Sequence, residues 1–106
     1  MRREIVLAPE AAEDFGTLRV YDRAMVRDAM EKHLRYEPAK TSKSRIKQLR
    51  GMRKPQYRLR VGEIRVFYDV TDVAVEVLAI VPKERAAAWL ERYGQRDKAT
   101  GEVEGT

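Results

Sequence analysis

The stretch that most constrains this chain runs from Tyr57 to Val70, where the hydrophobic period is two. Tyr57, Leu59 and Val61 alternate with Arg58 and Arg60; after Gly62-Glu63, Ile64, Val66, Tyr68 and Val70 alternate with Arg65, Phe67 and Asp69. Such alternation belongs to strands, whose successive side chains point to opposite faces. A two-residue turn with Gly first predicts a hairpin pairing Val61 with Ile64, Arg60 with Arg65, Leu59 with Val66, Arg58 with Phe67 and Tyr57 with Tyr68. One face is then apolar and the other carries three arginines.

The flanks supply the rest of a small domain. Ile5-Val6-Leu7 reads as a strand, and Pro9 as the first position of a helix with Glu10, Glu13 and Asp14 in its opening turns. A longer helix from about Asp22 to Tyr36 is predicted to bury Leu18, Tyr21, Met25, Val26, Ala29 and Tyr36, with Arg19, Arg23, Arg27 and Glu31 opposite. Pro38 ends it. Residues 37–55 form a basic connection with a short helical turn at Ser44 to Leu49, pinned by Ile46 and Leu49. After a turn at Thr71-Asp72, Val73 to Val81 reads as a well-covered strand, placing Glu76 opposite Phe67 and Leu78 opposite Arg65. Pro82 starts a last helix with Ala86, Trp89, Leu90 and Tyr93 on one buried stripe and Gly94 as its stop. The expectation is one domain over residues 1–94 and a flexible polar tail over 95–106.

Charge is concentrated where the connection meets the hairpin. Residues 35–65 hold 11 Lys+Arg and 2 Asp+Glu, whereas the remaining residues hold 11 and 15. A patch of one sign on a slightly acidic body is a footprint for a polyanion, nucleic acid or an acidic protein segment; a solvated loop has the same composition. Arg60 and Arg65 facing each other repel, by about 0.2–1 kcal/mol without a counter-charge. Guanidinium forks suit phosphate, and an exposed Phe67 beside them offers a face for base stacking. The competing reading packs Phe67 under a terminal segment and leaves the arginines solvated, with Glu76 as their one nearby carboxylate.

Other chemistries have little to work with. The chain has no cysteine and one histidine, which excludes disulfides, thiolate zinc sites and cysteine nucleophiles and suits a reducing cytosol. There is no Ser-His-Asp set, Walker-type loop or metal-spaced cluster of His and carboxylates, so neither metal nor cofactor is expected. His33 reads as a packing or capping residue, and Met25, Met30 and Met52 as fillers. No run of 18 apolar residues and no long apolar leader is present, so a soluble, unprocessed chain without a membrane partner is expected. Electrostatic catalysis on phosphate remains open but lacks a clear proton carrier. Tyr93, Tyr57 and Tyr68 qualify only if neighbouring arginines lower a phenol pKa, Tyr57 and Tyr68 read as packing residues on the core face, and Glu76 reads as an ion-pair partner of Arg58 or Arg65 before a base.

The run Tyr57-Arg58-Leu59-Arg60-Val61-Gly62-Glu63-Ile64-Arg65-Val66-Phe67-Tyr68-Asp69-Val70 resembles the signature hairpin of the RelE/ParE superfamily of bacterial toxins, and the element order resembles that family over about residues 3–93. The resemblance implies an α+β fold with two N-terminal helices packed on an antiparallel sheet and a short C-terminal helix. It implies a toxin of a type II toxin-antitoxin system, causing growth inhibition in the cytoplasm: either a metal-independent, ribosome-dependent mRNA endoribonuclease, or a non-nucleolytic relative such as a ParE-like DNA gyrase inhibitor. A cognate antitoxin is implied too, its acidic or amphipathic segment covering Leu78, Ile80 and the basic face. Arg65 matches the strand arginine on the scissile phosphate, and Arg58 and Arg60 match the basic pair on the preceding strand. Lys83 or Arg85 lies where an arginine follows the last strand. Where many RelE-like nucleases carry a catalytic tyrosine this chain has Trp89-Leu90, with Tyr93 one turn later. The expected catalytic set is therefore Arg58, Arg60, Arg65, Arg85 and Tyr93, and the expected nucleic-acid contacts are Lys43, Arg45, Lys47, Arg50, Arg53, Lys54, Phe67 and Lys83.

Overall fold

The structure, a computed structural model, describes residues 1–97. In chain order it contains β1 (Glu4–Leu7), α1 (Pro9–Thr17), α2 (Val20–Leu34), β2 (Ile46–Gln48), β3 (Met52–Lys54), β4 (Tyr57–Val61), β5 (Ile64–Val70), β6 (Ala74–Pro82), α3 (Lys83–Tyr93) and β7 (Gln95–Arg96). Five strands form one sheet in the order β1-β6-β5-β4-β2, and β3 pairs with β7 in a separate ribbon. The main sheet is antiparallel except at one edge, where β1 runs parallel to β6.

The β4–β5 hairpin has the expected register at all five pairs, from Val61 with Ile64 to Tyr57 with Tyr68. Gly62 opens its turn at φ +57°, a conformation that costs any residue with a Cβ. Leu59, Val61, Val66 and Tyr68 point to the core side, where they meet Val75, Val77 and Ile80 of β6, Ala11 of α1 and Val26, Met30 and Leu34 of α2. Each fully buried Leu, Val or Met contributes about 1.5–3 kcal/mol by leaving water. Phe67 points the other way and stacks on Trp89 of α3, with ring centroids 5.0 Å apart and planes within 7°. The helices thus lie on both sides of the sheet: α1 and α2 on the core side, α3 over part of the arginine side.

Four expectations need correction. The buried row of α2 is Val26, Met30 and Leu34, one above the next at i, i+4 and i+8, while Tyr21 and Tyr36 are 74% and 59% exposed. Leu18, Met25 and Ala29 pack partly buried against the same core as expected, and the helix stops at Leu34, before Tyr36. Instead of a helical turn, residues 46–48 form the edge strand β2, pairing Ile46 with Leu59 and Lys47 with Arg58; β4 would otherwise leave its outer hydrogen-bonding edge open. The β5–β6 pair is offset from the expected register. Its loop is longer, Val70 faces Val75, Asp69 faces Glu76, and an irregularity between Phe67 and Tyr68 leaves Leu78 unpaired. Finally, the chain does not leave the fold at Gln95: Gln95 and Arg96 pair with β3, and the Asp97 N–H donates to the Gly51 carbonyl at 2.7 Å. The rest of the expected tail, 98–106, lies outside the described residues.

The α3 stripe is half-buried, with Tyr93 52% exposed. The helix ends at Gly94 as expected, for a packing reason: a Cβ there would collide with the Leu90 carbonyl and the Met52 methyl. Among the described residues no helix is long and apolar enough to cross a membrane.

Candidate functional site

Strand alternation sets the site. Arg58 and Arg60 on β4, Arg65 on β5 and Lys47 on β2 project from the same side of three adjacent strands, because Lys47 faces Arg58 and Arg60 faces Arg65. Neighbouring strands are about 4.8 Å apart, so the cations form a compact row rather than a diffuse charge. The Arg58 guanidinium is the half-buried member: its Nη2 donates to the Ser44 carbonyl at 3.0 Å, while its Nε is buried with no hydrogen-bond partner. Burial first, then the fields of Arg65 and Arg60, hold its pKa below the usual arginine value. Arg65 Nη1 donates to the Gly62 and Ile64 carbonyls at 2.8 and 3.1 Å. Arg60 is exposed.

No carboxylate neutralises this row among the described residues. Glu76, expected beside the arginines, sits one offset away opposite Asp69 and pairs with Lys54 at 3.6 Å. Glu63 at the hairpin turn pairs with Lys83 at 3.5 Å. The other ion pairs, Arg35 with Glu31 and Lys40 with Glu37, belong to α2 and the loop after it. Like charges held together with an unanswered buried N–H are destabilising unless an acceptor arrives, and a phosphate oxygen is such an acceptor.

The remaining expected residues scatter. Phe67 is 1% exposed beneath Trp89 and presents no free face. Lys43, Arg45 and Arg50 are exposed, and Arg53 donates to Gln95 Oε1 at 3.0 Å. Arg85 and Tyr93 line a depression between α3 and α1, among Glu10, Glu13 and Asp14, that none of the three arginines reaches. Tyr93 packs instead against Trp89 at 5.7 Å and under the Arg92 guanidinium at 5.5 Å. Tyr68 donates its hydroxyl to the Pro38 carbonyl at 2.6 Å, stacks on Tyr57 at 5.6 Å, and burial pushes its pKa far up, so both rings serve packing. The sequence reading missed Ser44, whose carbonyl orients Arg58. Its position depends on β2 pairing with β4, which no local pattern in residues 44–48 announces.

No family model matches the chain, and no curated protein is similar to it in sequence. Among solved structures the fold is similar to the toxin-antitoxin complex RelBE2 from Mycobacterium tuberculosis, with a TM-score of 0.62 at 22% identity over 77% of this chain and 99% of that one. It is also similar to the archaeal RelE-RelB complex from Pyrococcus horikoshii OT3, with a TM-score of 0.60 at 25% identity over 80% of this chain and 99% of that one. The chain has the RelE fold. A third likeness, to the YoeB dimer from Staphylococcus aureus, has a TM-score of 0.52 at 19% identity over 74% of this chain and 94% of that one. In this chain's sheet the three arginines lie on β4 and β5, between the edge strand β2 with Lys47 on one side and the surface covered by α3 on the other.

Chemically, the row can hold a phosphodiester and stabilise negative charge that grows on it. Arginine stays protonated near neutral pH and cannot act as the base. His33 lies on α2, against the core side of the sheet, and burial with Arg45 and Lys32 nearby holds its pKa below the usual histidine value. Proton transfer therefore has no dedicated side chain on the row among the described residues.

Proposed function

We propose that this chain is the toxin of a toxin-antitoxin pair and that its arginine row grips the backbone of mRNA on the ribosome, promoting cleavage by the message's own 2′-hydroxyl. The observation that carries this reading is the set of three guanidinium groups on one side of β4 and β5 with no carboxylate in ion-pair range among the described residues, one of them with a buried, unanswered Nε–H. In the cleavage step the 2′-oxygen bonds to phosphorus, the bond from phosphorus to the 5′-oxygen breaks, and a 2′,3′-cyclic phosphate and a 5′-hydroxyl result. The 2′-hydroxyl proton leaves to water and the 5′-oxygen takes one from water, while Arg58, Arg60 and Arg65 stabilise the pentacoordinate anion between these events. This intramolecular attack needs no metal or cofactor. The similar RelE proteins were solved in complexes with RelB, and an antitoxin is the partner proposed here. It cannot cover Ile80, which is 3% exposed on the core side, but it can reach the half-buried Leu78 beside Trp89.

A translation extract programmed with a defined mRNA tests the reading. Cut message is expected, and Arg65→Ala is expected to lower the cutting rate by about 100-fold, the usual effect of removing one donor from a developing oxyanion; message left intact at high dose rejects nuclease activity. The position of Tyr93, beyond Trp89 and away from the row, favours a second reading: a non-nucleolytic toxin that binds without cutting, as a DNA gyrase inhibitor would. Inhibition of supercoiling by purified gyrase alongside intact mRNA selects it.

A further inference from the structure

A second group of cations sits apart from the arginine row. Where α2 ends, Lys32, His33 and Tyr36 line a depression whose other wall is Lys40, Ser42 and Arg45. Its one carboxylate, Glu37, is engaged by Lys40 at 3.7 Å. Ser42 Oγ accepts the N–H groups of Arg45 at 2.9 Å and Ile46 at 3.2 Å, so both its lone pairs are used and its own hydrogen is left to donate outward. Tyr36 is 59% exposed, and among the described residues its ring makes no aromatic stacking or cation–π contact. The depression lies on the α2 side of the sheet and the arginine row on the other, and the two meet round the β2 edge at one residue: Arg45 lines the hollow and accepts the Arg60 N–H on its carbonyl at 2.8 Å.

An aromatic face, a hydroxyl donor and unpaired cations in one hollow match the two ends of a nucleotide, base and phosphate. Inorganic anions or acidic peptides would use the cations and leave the tyrosine idle. We propose that this depression is a second nucleotide subsite, where Tyr36 stacks on a base of single-stranded RNA and Lys32, Arg45 and Ser42 hold its phosphate, while the same strand bends round the β2 edge onto the arginine row. The subsite deepens the RNA reading and rests on it. The depressed pKa of His33, set by burial and then by Arg45 and Lys32, fits a hollow of positive potential.

Binding of non-cleavable 2′-O-methyl oligouridine, about two and about eight nucleotides long, separates the subsite from the row, since single-strand sites usually span several nucleotides. Tyr36→Ala is expected to weaken the longer strand about tenfold and leave the shorter one unchanged, as loss of one stacked base would. Lys32→Ala is expected to lower the salt slope of long-strand binding by about one ion. Uridine monophosphate alone is expected to raise the pKa of His33, followed by the NMR shift of its ring proton, because a bound phosphate favours the charged imidazole. Equal long-strand affinity in Tyr36→Ala together with an unmoved His33 overturns the subsite, while short-strand binding that still depends on Arg65 keeps the arginine-row reading. A His33 response to polyglutamate as large as that to RNA, untouched by Tyr36→Ala, also overturns it and assigns the hollow to an acidic protein segment. Loss of short-strand binding with the His33 response intact counts against the row alone.

Discussion

The two strand pairs that share β5 differ in how their registers are set. On one side, β4 and β5 are joined by two residues, and Gly62 at φ +57° leaves the chain no slack, so the alternation of Tyr57 to Val70 and the turn together determine all five pairs. On the other, β5 reaches β6 through a longer loop, and the ladder shifts again between Phe67 and Tyr68. The second register is held from outside the pair: Asp14 of α1 accepts the Ile80 N–H on Oδ2 at 3.0 Å. A turn can be read locally, but a carboxylate 66 residues away in sequence cannot. The difference reaches the site, because the offset sends Glu76 to Lys54 and leaves the arginine row unneutralised.

The sharpest way to break the contrast is Asp14→Ala. It strands the N–H of a residue that is 3% exposed, and an orphaned buried donor costs about 1–3 kcal/mol. Urea unfolding should show a loss of that size, with Asp14→Asn less affected because its amide oxygen can still accept. Hydrogen exchange localises the effect: the Ile80 amide should lose protection before the β4–β5 amides do. Uniform loss across both pairs would mean that Asp14 does not hold the β6 register separately.

A smaller change probes the other side. Gly62→Ala makes no clash, since an ideal Cβ lies in ordinary contact 3.7 Å from the Met25 methyl, so the penalty is conformational only, about 1–2 kcal/mol for a left-handed residue. Gly62→Asn should recover part of it, Asn tolerating that region better. If alanine proves neutral, the turn is not what sets the hairpin, and the alternation alone must suffice.

The hairpin, the α1 start at Pro9, the α3 start after Pro82 and the convergence of Arg58, Arg60 and Arg65 were all legible, because each follows from a period or a turn residue within a few positions. What was not legible depends on packing between distant segments. Which row of α2 is buried is decided by the sheet beneath it, so Tyr36 read as core and is instead exposed. Phe67 read as a free stacking face, yet its cover, Trp89, arrives on α3 from 22 residues downstream in the numbering. Ile46 anchors the connection as its apolar side chain predicts, but three residues are too few for a period to distinguish a helical turn from the strand β2.

The finest test concerns Asp69, which the offset places opposite Glu76. Asp69 Oδ1 accepts the Gln56 N–H at 2.7 Å, and Gln56 Oε1 accepts the Val70 N–H at 2.9 Å, a clasp tying the start of β4 to the end of β5. Burial raises the carboxyl pKa; the Gln56 hydrogen bond and Lys54 pull it down, Glu76 pushes it up, and the balance lies above the ordinary value of 3.8. A carboxyl whose folded pKa exceeds its unfolded one binds its proton more readily in the native state, so its contribution weakens stability as pH rises from the unfolded value through the folded one. Asp69→Asn keeps an oxygen to accept from Gln56 and removes the titration. The variant should be slightly more stable than the parent at pH 7, by well under 1 kcal/mol because the site is half open to water, and the advantage should shrink as the pH falls toward 4. A constant difference across that range would place Asp69 in a better-solvated position than its contact with Glu76 implies, and would weaken the case that the β6 offset, rather than solvent, governs the charges along this edge of the sheet.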